Sequence, residues 1–292
     1  MTEIQGVLTA MATPFDAEGG VDEAAARRLA ANVVDEQGSH GIVVAGSSGE
    51  AATLDDREHI SLLRAVVEEV GDRATVVCGT GTNDTRHSIE LTKAAAEAGA
   101  AAALVVTPYY NKPNPAGIQA HFEAVAAAVP ELPIIAYNIP SRVIINVPPV
   151  QLAELARIDN IVAVKQANDE ELELIEGLAV LAGNDDTFLR TLELGGAGGI
   201  LVASQLVGRQ MREMWDAAQA GDLERAREID AGLRPLYEAL AVTTNPMPLK
   251  AALEIAGLIP TGALRLPMVP VDASQRETIR KALEAVGAPA GA

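Results

Sequence analysis

A short apolar run, a turn and a longer amphipathic segment follow one another eight times along the chain, and this repeat limits the possible folds more than any other feature. The predicted strands are residues 6–10, 41–45, 75–78, 102–106, 133–137, 161–165, 179–183 and 199–202. The predicted helices are residues 23–37, 55–70, 84–98, 115–129, 148–155, 170–175, 187–194 and 204–218. Strands that are apolar throughout, rather than alternating, are typical of a parallel sheet covered on both faces. The sequence therefore predicts an α/β fold, a closed (β/α)8 TIM barrel.

Beyond the eighth unit only helical periodicity continues, over residues 223–241, 246–256 and 274–286. We therefore expect a catalytic barrel over residues 1–221 and a helical C-terminal region over residues 222–292. A doubly wound open sheet is an alternative. It is disfavoured because no G-x-G-x-x-G motif follows the first strand, as a dinucleotide-binding fold would require.

Charge and cysteine content exclude several classes of partner. The formal net charge of −18 would repel nucleic acid and anionic membranes. The single cysteine, Cys78, cannot form an internal disulfide, the N-terminus lacks the pattern of a signal peptide, and no apolar stretch is long enough to span a membrane. We expect a cytoplasmic protein that acts on small molecules.

Lys165 is the residue at a strand end that most strongly indicates chemistry. Lysine is rare here, yet Lys165 directly follows an apolar run, and a barrel interior would favour the neutral amine that attacks ketones. A lysine at a strand end can also simply reach solvent. Tyr137 ends the preceding strand, so its phenol should lie beside Lys165, where it could move the protons that Schiff-base formation requires.

Two further strand ends suggest anion binding. The turn Gly46-Ser47-Ser48-Gly49-Glu50 combines a flexible backbone with two hydroxyls, and its amides could hold a carboxylate, although an ordinary turn has the same composition. Arg142 could bind a second carboxylate with its planar fork, or form a surface ion pair.

Other chemistries lack their motifs. The four histidines are scattered, with no pair at metal-ligand spacing, so we expect no metal and no cofactor. No G-x-S-x-G elbow is present for serine hydrolysis, and the glycine clusters lack the basic residue of a phosphate loop.

With these motifs assembled, the chain resembles the pyruvate-dependent class I aldolases, the family that includes dihydrodipicolinate synthase and N-acetylneuraminate lyase. The resemblance covers nearly the whole chain. The motifs that carry it are Ala12-Thr13-Pro14-Phe15, the turn at 46–50, Pro108-Tyr109-Tyr110-Asn111, Tyr137-Asn138-Ile139-Pro140, Val164-Lys165 and Asn245-Pro246-Met247-Pro248-Leu249-Lys250.

The resemblance implies a role for each candidate residue. It implies that Lys165 forms an imine with pyruvate and that Tyr137 relays protons with the Ser48 hydroxyl. It also implies that Tyr110 completes the relay from a neighbouring subunit. Ser47 and Ser48 would bind the pyruvate carboxylate, and Gly183 and Ile200 would present backbone carbonyls to the intermediate. The implied assembly is a homotetramer built of two tight dimers.

Arg142 favours the synthase branch of the family, in which an arginine after Tyr-Asn-x-Pro-x holds the carboxylate of L-aspartate 4-semialdehyde. Arg265-Leu266-Pro267 also resembles that branch. The implied reaction is condensation of pyruvate with this aldehyde, for diaminopimelate and lysine biosynthesis. The alternatives are another 2-keto acid aldolase, acting on a sugar acid or hydroxy-keto acid, and a catalytically silent scaffold, against which the intact Lys165 and Tyr137 argue.

The chain departs from the synthase pattern at several positions. Ser47-Ser48 replaces the usual Thr-Thr, and Val143-Ile144 follows Arg142 where Thr-Gly is usual. The family's lysine-inhibition site is matched at Asn83, Tyr109 and His59. Asp56 and His87 stand where some bacterial synthases have histidine and glutamate, which predicts weak or absent feedback inhibition.

Overall fold

Eight parallel strands form a closed barrel in the computed structural model, which describes residues 4–288. The strands are β1 (Gly6–Ala10), β2 (Gly41–Val44), β3 (Thr75–Gly79), β4 (Ala102–Val106), β5 (Ile134–Asn138), β6 (Ile161–Gln166), β7 (Ala179–Ala182) and β8 (Gly198–Leu201). Each strand pairs with the next, and β8 closes the barrel against β1. The predicted TIM barrel is confirmed, with every predicted strand within one residue of its observed bounds.

The helices surround the barrel in the expected order. They are α1 (Glu23–Ala31), α2 (Asp56–Val70), α3 (Thr85–Glu97), α4 (Pro115–Ala128), α5 (Pro140–Val143), α6 (Pro149–Leu155), α7 (Phe188–Glu193), α8 (Ser204–Gln219), α9 (Leu223–Leu240), α10 (Met247–Ile255) and α11 (Ala273–Ala285). Short 3-10 turns lie at Ala51–Thr53, Asp169–Glu171 and Asp185–Thr187, and a π-helical segment, Asn32–Glu36, continues α1. Capping residues explain several helix starts. Asp22 accepts a hydrogen bond from the amide of Ala25, and Asp55 forms a capping box with Glu58.

One predicted helix was wrong. Residues 170–175 contain only the end of the 3-10 turn Asp169–Glu171, followed by four residues without regular secondary structure. The segment is too short for its hydrogen bonds to offset the free-energy cost of helix nucleation, and no side chain caps its start. Its apolar residues Leu172 and Ile175 are nevertheless buried, against the outer surface of the barrel. The short helix α5 was not predicted.

The barrel interior and its outer surface form separate apolar layers. Residues such as Leu8, Val43, Ile135 and Leu181 fill the interior. Residues on the opposite strand faces pack against the surrounding helices. Within residues 4–288, no helix is both long and apolar enough to cross a membrane.

The C-terminal helices pack on one side of the barrel. α9 lies against α8 and α11, and α10 lies against α11. The predicted division into a barrel (1–221) and a helical region (222–292) stays a prediction, and its outermost residues, 1–3 and 289–292, lie outside the described residues.

Candidate active site

Lys165 and Tyr137 lie side by side at the carboxyl ends of β6 and β5. Lys165 is on the same strand face as Ala163, which belongs to the core inside the barrel, and the residue is only 5 % exposed. Tyr137 is its partner in the strand register, and Nζ of Lys165 lies 4.4 Å from the centroid of the Tyr137 ring. The Tyr137 carbonyl accepts hydrogen bonds from both the N–H and the hydroxyl of Thr107, each at 3.0 Å. A potential nucleophile and a proton-transferring phenol are thus held together by the sheet.

The turn at 46–50 leaves two backbone N–H groups available. The amides of Gly49, Glu50 and Ala51 donate to carbonyls within the turn, whereas those of Ser47 and Ser48 have no partner among residues 4–288. Ser47 is partly exposed and Ser48 is buried. Two adjacent unpaired amides form a local donor pair that suits a carboxylate.

A cavity of about 390 Å³ opens beside this turn. Its wall includes Ser47, Tyr137, Arg142 and Asn245. Lys165 does not belong to the wall itself but contacts Tyr137, which does. The exposed Arg142, on α5, donates from a terminal guanidinium nitrogen to the Asn245 carbonyl at 2.8 Å. The cavity wall beside the turn therefore includes the hydroxyls of Ser47 and Tyr137, the free amide of Ser47 and the cation of Arg142.

A buried ion pair connects the turn to the C-terminal region. The Lys250 ammonium lies 2.5 Å from the Glu50 carboxylate, and neither side chain is accessible to solvent. The ammonium also donates to the Ala263 carbonyl at 2.7 Å and lies 3.9 Å from the centroid of the Phe15 ring. Burial lowers the pKa of Lys250 to about 8, against the opposing effect of Glu50. Glu50 itself has a positive φ of 56°, so this pair helps to hold an unusual backbone conformation.

Asp185, which the sequence analysis missed, places a carboxyl group close to Lys165. Its carboxylate accepts from the amides of Val202 and Ala203, at 2.8 and 3.1 Å, and so joins the ends of β7 and β8. Burial raises the pKa of Asp185 to about 6, while those two amides and the positive charge of Lys165 lower it. Its position two residues beyond Gly183 at a strand end was the available signal. Tyr237 of α9 lies near it, and burial raises the pKa of that phenol.

Besides Lys165 and Ser48, three of the predicted site residues lie away from the cavity wall. Tyr110 is 85 % exposed, with a positive φ of 73°. Gly183 follows β7, where its amide donates to the Gln166 carbonyl and a Cβ would come within 2.6 Å of Ala167. Ile200 is completely buried in β8.

The residues of the predicted inhibition site line one part of the same cavity. They are His59, Asn83 and Tyr109. His59 is buried and hydrogen-bonds to the Gly79 carbonyl through Nε2, and burial lowers its pKa. Asp56 and His87, which also line this part, pair with each other at 2.9 Å. Within residues 4–288, no cluster of histidine, cysteine and acidic side chains has the arrangement of a metal site.

Comparison with known proteins identifies the family. Residues 3–286 match the dihydrodipicolinate synthetase family. The chain is 44% identical over 288 residues to the 4-hydroxy-tetrahydrodipicolinate synthase of Synechococcus elongatus, covering 96% of each chain. The crystal structure of DHDPS from Cyanidioschyzon merolae with lysine bound is 40% identical, with a TM-score of 0.93 and coverage of 97% of this chain and 98% of that one. A structure described as the first monomeric dihydrodipicolinate synthase variant is 36% identical, with a TM-score of 0.90 and 97% coverage of both chains. The resemblance found in the sequence is confirmed, and the chain belongs to the dihydrodipicolinate synthetase family.

Proposed function

We propose that this chain is a Schiff-base-forming lyase that condenses pyruvate with L-aspartate 4-semialdehyde, the reaction of a 4-hydroxy-tetrahydrodipicolinate synthase. The contact between Lys165 and Tyr137 inside the barrel mouth carries this proposal. The names of the similar proteins support the choice of substrates. No cofactor is needed, because the lysine amine itself supplies the electrophilic activation.

The chemistry begins at the Lys165 amine. Its nitrogen attacks the ketone carbon of pyruvate, and the carbonyl oxygen takes up a proton to give a carbinolamine. Loss of that oxygen as water leaves an iminium, and removal of a proton from the methyl group gives an enamine. The enamine carbon then attacks the aldehyde carbon of the second substrate, whose oxygen is protonated. The amino group of that substrate next attacks the iminium carbon, and cleavage of the C–N bond to Lys165 releases the cyclised product and the free lysine amine. Tyr137 is close enough to Lys165 to exchange protons at these steps, and we propose that the Ser48 hydroxyl assists it.

The turn at 46–50 would bind the pyruvate carboxylate. The unpaired amides of Ser47 and Ser48 supply two donors, and their hydroxyls supply two more. The backbone carbonyls of Gly183 and Ile200 would face the intermediate.

Arg142 would bind the carboxylate of the aldehyde substrate. Its guanidinium belongs to the cavity wall, and the Asn245 carbonyl occupies one of its donors, which leaves the others for a ligand. In a chain with a net charge of −18, a local cation is required to attract an anionic substrate.

Tyr110 would complete the proton relay from a neighbouring subunit. An aromatic side chain that is 85 % exposed suits a contact between subunits better than a solvated surface. We therefore propose a homotetramer made of two tight dimers. Sedimentation analysis tests this assembly, and the existence of a monomeric variant among the similar proteins makes the measurement informative.

We further propose that the part of the cavity around His59, Asn83 and Tyr109 is an allosteric site at which lysine inhibits weakly or not at all. Asp56 and His87 already satisfy each other there. A cytoplasmic location is proposed because the lone Cys78 is a buried free thiol.

The test is borohydride reduction of the protein with pyruvate, followed by intact mass, peptide mapping and a condensation assay. An adduct on Lys165 together with rapid condensation of L-aspartate 4-semialdehyde supports the proposal. An adduct without condensation, combined with cleavage of a sugar acid, would assign the chain to another 2-keto acid aldolase. A protein that forms no adduct would contradict the mechanism.

A further inference from the structure

Asn245 contacts both halves of the candidate site. Its side-chain amide nitrogen donates to the Ser48 hydroxyl oxygen at 2.9 Å. Its backbone carbonyl accepts from Arg142 at 2.8 Å. The two groups that would bind the two substrates are thus joined through one residue, which lies 197 positions from Ser48 in the sequence.

The hydrogen bond to Ser48 has a direction with a chemical consequence. The amide nitrogen of asparagine can only donate, so the Ser48 oxygen is the acceptor and its own proton must point elsewhere. No acceptor for that proton is found among residues 4–288. Ser48 is buried and its backbone amide is also unpaired. A buried hydroxyl with an unused proton, beside an unused amide, is a donor pair for a ligand.

The segment that carries Asn245 is anchored independently. Five residues farther along, Lys250 forms its buried ion pair with Glu50 of the same turn. Breaking this pair would leave an uncompensated buried charge, so the segment and the turn are held firmly against each other at two points. The Asn245 amide can therefore fix the Ser48 hydroxyl without a large loss of conformational entropy.

We propose that Asn245 is a positioning residue that directs the proton of the buried Ser48 hydroxyl toward the cavity that the adjacent Ser47 lines, where the carboxylate of the 2-keto acid would bind. Through its backbone carbonyl, Asn245 also holds the guanidinium of Arg142, which would bind the aldehyde substrate. The inference rests on the proposed function, because it assumes that a 2-keto acid occupies the cavity.

A double-mutant cycle tests whether Asn245 acts through Ser48. A hydrogen bond to a charged group contributes about 1.5–3 kcal/mol, so Asn245→Ala and Ser48→Ala should each lower kcat/KM for pyruvate by roughly 10-fold to 100-fold. The double variant should lose no more kcat/KM than the less active of the two single variants. The KM for the aldehyde should change little in Asn245→Ala, because the backbone carbonyl that contacts Arg142 remains.

Asn245→Asp separates positioning from a cavity defect. Aspartate has nearly the same shape but cannot donate to Ser48 when ionised, so this variant should lose pyruvate efficiency as Asn245→Ala does while retaining the melting temperature. Asn114→Asp is the matched control. It adds the same charge at the exposed N-cap of α4, where a carboxylate caps equally well, and should leave activity unchanged.

The outcomes are distinct. Wild-type protein that forms no borohydride-trapped adduct with pyruvate overturns the proposed function and this inference together. If wild type forms the adduct but the losses in the cycle multiply, or if Asn245→Asp is as active as wild type, only the role of Asn245 is overturned. The role of Asn245 is supported if the losses in the cycle do not multiply and if Asn245→Asp is folded but loses pyruvate efficiency as Asn245→Ala does.

Discussion

Protonation of His121 should destabilise the fold in mild acid, independently of the active site. The residue lies in α4 and is 3 % exposed. Its Nδ1 hydrogen-bonds to the Thr85 hydroxyl at 3.0 Å, its ring meets Phe122 edge to face, and its Nε2 is buried without a partner within residues 4–288. A proton on the ring would therefore bury a positive charge together with an unpaired donor. Burial accordingly lowers the pKa of His121 to about 4.

The magnitude follows from the difference in pKa between the folded and unfolded chain. Because the folded value of about 4 lies below the ordinary value of 6.5, the unfolded chain binds the proton more readily. The stabilising contribution is thus fully present above pH 6.5 and is lost as the pH falls towards 4. A shift of about 2.5 pKa units corresponds to roughly 3 kcal/mol, of which about 2 kcal/mol should already be lost at pH 5.

Urea unfolding of wild type and His121→Gln at pH 7 and pH 5 measures this contribution. Glutamine does not titrate, so the difference in the free energy of unfolding between the two proteins should shift by about 2 kcal/mol, in favour of the variant, at the lower pH. The carboxylates, the half-buried His40 and the buried His59 are the same in both proteins, so their contributions to the pH dependence cancel. Parallel pH dependences in the two proteins would refute the assignment of a buried, neutral His121.

Four other substitutions probe the site and its support. Lys165→Ala should abolish borohydride trapping of pyruvate with little change in melting temperature, and an adduct on the variant would place the nucleophile elsewhere. Tyr137→Phe should slow imine formation by about 100-fold, as expected for loss of an acid–base group, while pyruvate still binds in calorimetry; an unchanged single-turnover rate would contradict the relay. Arg142→Ala should raise the KM for the aldehyde by about 10-fold or more with the KM for pyruvate unchanged, and equal increases in both would argue against a carboxylate clamp. Lys250→Met should lower the free energy of unfolding by about 3–5 kcal/mol by leaving Glu50 buried without its cation, and adding Glu50→Gln should restore part of the loss; no loss in the single variant would show that water reaches the pair.

The strands and most helices could be predicted because their signals are local. The run Ile161-Val162-Ala163-Val164 has no polar residue to mark a solvent face, so it indicates a buried parallel strand wherever it occurs. Adjacent strands then bring Tyr137 beside Lys165 without further information. The helix predicted at 170–175 is absent for the opposite reason, because its conformation depends on contacts that are not local. Its composition is compatible with a helix, but Leu172 and Ile175 are buried against the barrel surface in a segment without regular secondary structure.

The supporting residues of the site could not be predicted because their partners are distant in the sequence. Asn245 and Lys250 belong to a motif that was visible in the chain, but nothing in that motif shows that one residue contacts Ser48 and the other Glu50. Asp185 is one of several acidic residues near strand ends, and only its hydrogen bonds to the amides at the start of α8 distinguish it from a solvated carboxylate.

The buried pairing of Glu50 with Lys250 limits how this protein can be recombined with its relatives. A chimera that joins the barrel of one homologue to the C-terminal helices of another inherits one partner from each parent. If either parent lacks its half, the hybrid contains an uncompensated buried charge next to the turn at 46–50. The location of the crossover between such parents therefore matters less than whether the residues at positions 50 and 250 can still form an ion pair.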